Sequence, residues 1–132
     1  MEKGIEEFFV KTYIMQNKQD RILHELCHEK KRINALSRFC HRTNEHIKET
    51  KIIYFGNDIS INELQKYIDS TKEKHCYVIS YDKSLDAKWF KKDEVLSLII
   101  GRGMPSIAVF NHLSIIETEQ TQGPAQKFVL KS

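Results

Sequence analysis

The chain has 132 residues, 40% of them hydrophobic and 30% charged, with a formal net charge of +3. That length suits one domain with a core of its own, and so mild a charge does not by itself call for a polyanionic partner. No apolar run approaches the roughly 18 residues of a membrane span, so no membrane partner is expected.

Residues 1–7 are acidic where a secretory leader would be basic. Cys27, Cys40 and Cys76 are read as reduced thiols, which together with that start points to the cytoplasm.

Residues 5–15 place Ile5, Phe8, Phe9, Tyr13 and Ile14 at three- and four-residue spacing, which predicts a short helix. Gln16 and Asn17 end it. Residues 17–49 contain no Gly or Pro and carry four of the six histidines and two of the three cysteines. They read as one long helix. At roughly 100° per residue, Ile22, Leu26, Ile33, Leu36, Cys40 and Ile47 form a buried stripe. His24, His28, Lys31, Ala35, Arg38 and Arg42 share the other side. Asn17 with Asp20 three residues on resembles a capping box at its start.

Residues 51–55 are an apolar strand. Ser60-Ile61-Asn62-Glu63 is a capping box, and Ile59 with Leu64 makes a hydrophobic staple, so a helix follows to about Thr71. Residues 75–80 are a second strand and 81–89 a loop holding Trp89, which is read as packing against the next helix, 92–100. Gly101 is the natural residue after that helix. Pro105 opens a strand over 106–110, Asn111-His112 turns into another over 113–118, and a last strand covers 126–130 after a polar loop, 119–124. Glu117 and Glu119 read as an edge-strand charge pair.

Strands separated by helices imply parallel crossovers, and the closing hairpin adds antiparallel strands. The expected fold is α/β: a single domain with a mixed sheet of about five strands, flanking helices and an N-terminal helical hairpin, residues 1–49 packing on 50–132.

His24-Glu25-Leu26-Cys27-His28 matches H-E-x-x-H. On a helix, residues four apart point the same way, so two imidazoles can hold a zinc ion while the glutamate activates a water. The stretch resembles the zincin metallopeptidases over these five residues. The resemblance implies zinc on His24 and His28, with Glu25 as catalytic base. It departs from the family pattern at Glu29, and no Gly-x-x-His follows to supply a third ligand. Fixed cations on the same face, Lys31 and Arg38, oppose a dication.

Lys31, Arg38 and Arg42 are the candidate binding residues, suited to phosphate contacts and hence to nucleic acid. The leading expectation is non-enzymatic: a small cytosolic binding or regulatory module acting through residues 17–49 on a protein partner or on a second copy. A zinc hydrolase and a nucleic-acid-binding protein are the alternatives, and zinc is the one cofactor in question. Self-association follows from length. A straight 33-residue helix would run about 50 Å against a body about 36 Å across, so it breaks, most readily at Thr43-Asn44, or overhangs into a homodimer.

Overall fold

The computed structural model describes residues 2–118 and 125–132, without the side chains of residues 39–41. The side chain of Cys40 and the loop 119–124, Glu119 included, lie outside that description. Among the described residues the chain forms α1 (Lys3–Tyr13), α2 (Gln19–Cys27), α3 (Arg32–His41), α4 (Thr43–His46), β1 (Ile52–Gly56), α5 (Ile61–Asp69), β2 (His75–Ser80), β3 (Lys88–Lys91), α6 (Val95–Ile99), β4 (Ser106–Val109), β5 (Leu113–Glu117) and β6 (Lys127–Lys131). Among the described residues no helix is long and apolar enough to cross a membrane.

The fold is α/β, with one sheet between two helical layers. The strand order is β1-β6-β5-β4-β2-β3. Strands alternate their side chains between the faces. Tyr77, Ile79, Ile107, Val109, Ile116, Phe128 and Leu130 face one layer, with Phe9, Tyr13, Ile22, Leu26, Leu36 and Ile47 of the N-terminal helices. Cys76, Val78, Ala108, Leu113, Ile115 and Val129 face the other, with Leu64 and Ile68 of α5 and Val95, Leu96 and Ile99 of α6.

Among the described residues the sheet has six strands rather than five, and every pair in it is antiparallel. The expected crossover exists in part, since α5 joins β1 and β2, which run in the same direction. But β6, β5 and β4 lie between them, so no parallel pair forms. The added strand is β3, in the stretch read as a loop. Trp89 there is 50% exposed and meets Tyr77 of β2 edge-on, not the following helix. Glu117 is also misplaced by the sequence reading. It stands on an interior strand, 1% exposed, accepting the Gly101 N–H at 3.0 Å and lying 3.7 Å from Lys127. Burial raises its pKa.

The long helix is broken. It starts with a single 3-10 turn, Gln16–Lys18, and Lys18 rather than Asn17 precedes α2, with no side-chain cap. It stops at His28, whose φ of −110° and ψ of 115° are extended, and restarts at Arg32. A second break falls at Arg42, one residue before the expected place. The first break resets the helical phase. Ile33, placed in the stripe by a continuous helix, is 52% exposed, while Ala35, placed on the opposite face, is fully buried.

The first break is tied to Arg32. The reset carries its guanidinium inward, where Nη1 and Nη2 each lie 2.7 Å from an oxygen of Glu6. Nε and Nη2 reach Asp86 at 2.7 and 3.0 Å. Arg32, 6% exposed, is thereby the cation between two acids, one of them almost fully buried.

The capping box at α5 forms as read: Ser60 Oγ accepts the Glu63 N–H and Glu63 returns to the Ser60 N–H. Ser60→Ala is expected to cost about 1 kcal/mol in urea unfolding, and Ser60→Gly only a few tenths. No loss in either variant would mean that the side-chain bond contributes nothing.

Candidate functional site

The two breaks fold residues 17–46 back on themselves and so make a concavity. The start of α2, the outer face of α3 and α4 enclose an open cleft of about 730 Å3. Its walls carry Lys18, Arg21, Arg38, Arg42 and His46, with Asn17, Asn34 and Ser37 as neutral polar groups and Glu45 as the acid.

Beneath the cations lies Glu25, 6% exposed. Arg38 grips it in a fork, Nε to Oε1 at 2.9 Å and Nη2 to Oε2 at 3.1 Å. The Arg38 hydrogen bond holds the Glu25 pKa below the usual carboxylate range, working against burial. This pair fixes Arg38 and satisfies Glu25. Arg21 and Arg42 are held more loosely, at 3.9 Å from Glu25 and 4.0 Å from Glu45, with side chains 70% and 72% exposed. Exposed contacts at that distance contribute little to stability.

His46 is 5% exposed. Its Nδ1 lies 2.8 Å from the Arg42 carbonyl, which can only accept, so Nδ1 carries the proton and Nε2 is the site for a second. Burial lowers its pKa from the usual 6.5, against the opposing pull of the Arg42 hydrogen bond, and the charges of Lys18 and Arg38 lower it further. A neutral imidazole beside clustered guanidiniums marks a locally positive, partly dry site.

The structure thus brings together two of the sequence candidates, Arg38 and Arg42, and leaves the others outside the cleft. Lys31 is exposed in the turn before α3. His28 sits past the end of α2, where its Nδ1 donates to the His24 carbonyl at 2.7 Å, and the two rings lie 4.1 Å apart between centroids. Among the described residues no three His, Cys, Asp or Glu side chains converge as a ligand set. Glu25, both oxygens held by Arg38, does not fit the role of a free general base beside a zinc ion. Elemental analysis addresses the metal directly. About one zinc per chain, lost in His24→Ala, would restore the metallopeptidase reading.

Sequence reasoning missed Lys18, Arg21, Asn34, Ser37 and His46. For Arg21 a signal existed, the four-residue spacing to Glu25. For His46 there was none, because its place opposite Lys18 and Arg38 exists only once the helix has folded back.

No protein-family model, no curated protein and no solved structure matches this chain.

Proposed function

We propose that this chain is a small cytosolic binding module that holds an anionic group, of phosphate or sulfate type, in the cleft formed by residues 17–46. The observation that carries the reading is the cluster of Lys18, Arg21, Arg38, Arg42 and the buried neutral His46 around one concavity. Guanidinium forks suit the planar oxygen edges of such anions. The buried acid below them is already neutralised by Arg38, so it does not repel an entering anion. The cleft is concave and its cations converge, which favours a compact anion over an extended nucleic acid, whose phosphates need contacts spread along a surface.

Calorimetric titration with pyrophosphate at low ionic strength tests this. Binding is expected, about tenfold weaker in Arg42→Ala and unchanged in Lys31→Ala. Arg42 is exposed, so its loss leaves the fold intact. No heat at low salt, or equal affinity in the Arg42→Ala protein, contradicts the reading. Preference for a single-stranded oligonucleotide, with a steep salt dependence that Lys31→Ala flattens, would support the nucleic-acid alternative instead.

A further inference from the structure

The layer of α5 and α6 has a cavity of its own, on the other face of the sheet from the anion cleft. It measures about 610 Å3 and lies where the end of α5 meets the turn between β4 and β5 and the edge strand β1. A bulge shapes one wall. Ile52 packs with the N-terminal helices and Phe55 stacks on Phe128 of that same core, while Tyr54 packs with the α5 layer. Neighbours on a regular strand face opposite ways. Here the pairing with β6 slips between Ile52 and Tyr54, so Ile53 and Tyr54 both turn to the α5 side. Bulges re-aim side chains in this way. Ile53, 45% exposed, lines the cavity with Tyr67 of α5 and Leu113 of β5.

The polar part of the lining is lopsided in charge. Lys72 and Lys131 bring two cations and Glu73 one acid, so one positive charge is left over. Neither lysine has an ion-pair partner among the described residues. The acid is partly engaged, since Glu73 Oε1 accepts the Asn111 N–H at 2.8 Å. Bare carbonyls at the end of α5 would repel an anion, but these are covered. The Lys66 and Tyr67 carbonyls accept the Ser70 N–H at 3.2 Å, and the Ile68 carbonyl accepts the Thr71 N–H at 3.0 Å and its hydroxyl at 2.7 Å.

We propose that this cavity binds a small monocarboxylic acid with an aromatic or branched apolar body. The body lies over Ile53, Tyr67 and Leu113, and the carboxylate meets Lys72 and Lys131, whose surplus charge it cancels. A volume of this size suits a small organic ligand held by an apolar wall and a few polar groups. An inorganic anion would leave Ile53 and Tyr67 in water, and a neutral apolar molecule would make no use of the lysines. A dianion would exceed the one uncompensated charge. The cleft takes no part in this site, and the two proposals stand or fall separately.

Amide NMR titration of the full chain with phenylacetate tests it, with phenylacetamide and acetate as the two halves of the ligand. Saturating shifts are expected for phenylacetate at residues 53, 71–73 and 112–113, with a midpoint in the low millimolar range. Each half alone is expected to bind about tenfold more weakly or worse. Lys131→Gln is expected to weaken phenylacetate about tenfold and to leave phenylacetamide unchanged. Ile53→Asp, at an exposed position, is expected to abolish the shifts. Should that variant fail to fold, the comparison of acid with amide on the unmutated protein still decides. No saturation by phenylacetate, equal binding of acid and amide, or shifts confined to residues 17–46 would each overturn the proposal.

Discussion

Arg32→Met is expected to cost about 3–5 kcal/mol of folding stability, the range for removing one partner of a buried ion pair. In a domain of this length that lowers the melting temperature by roughly 10 °C or more. The guanidinium is 7% exposed and is shared by Glu6 and Asp86, whose side chains are 4% and 18% exposed. It also donates to the Leu26 carbonyl at 3.1 Å. Tyr77 donates to Glu6 at 2.6 Å and accepts the Glu2 N–H at 3.0 Å. The cluster therefore ties α1, α3, β2 and the turn before β3 at one point. Without the cation, two carboxylates face each other in a nearly dry space. Because the loss is an unpaired charge rather than a missing contact, adding Glu6→Gln to Arg32→Met is expected to cost less than the sum of the two single changes. Additive losses by chemical denaturation would mean that the three side chains do not act as a unit.

The second large effect separates two neighbours that a continuous helix would treat alike. Leu26→Ala is expected to cost about 2–5 kcal/mol, as a fully buried leucine does. Ile33→Ala, at a position 52% exposed, is expected to stay within about 0.5 kcal/mol. Urea unfolding of the two variants measures both. Comparable losses would restore the single straight helix and its stripe.

These two positions show what the sequence does and does not make legible. Period and capping are local, so the strands at 52–56, 75–80, 106–109, 113–117 and 127–131 and the α5 start at Ser60 could be read within a residue or two. The break at residues 28–31 could not. No Gly or Pro marks it, and the ion pairs that go with it join Arg32 to acids at positions 6 and 86, far away along the chain. β3 was hidden for the same kind of reason. Lys88-Trp89-Phe90-Lys91 is short and bounded by lysines, and it is a strand because β2 offers it an edge. At the site, Arg38 and Arg42 were legible as cations on one side of a helix. Their meeting with Lys18, Arg21 and His46 was not, because it requires the helix to double back. The two histidines of the H-E-x-x-H match do lie close, with ring centroids 4.1 Å apart. The second of them lies where the helix has ended, and the glutamate is the acid that anchors Arg38.

The most direct test of the anion cleft follows the imidazole of His46 by NMR across the histidine range, with sulfate and with chloride at matched ionic strength. In the free protein its pKa is expected below the usual 6.5, because burial first, and then Lys18 and Arg38, disfavour the second proton. The unfolded chain then takes up the proton more readily, so His46 lowers folding stability as the pH falls below about 6.5. Sulfate does not titrate in this range. Seated among the guanidiniums it would favour imidazolium, so the account predicts that sulfate raises the His46 pKa and binds more tightly at about pH 5.5 than at about pH 7.5. A His46 resonance that titrates in the ordinary histidine range and does not respond to sulfate would contradict it.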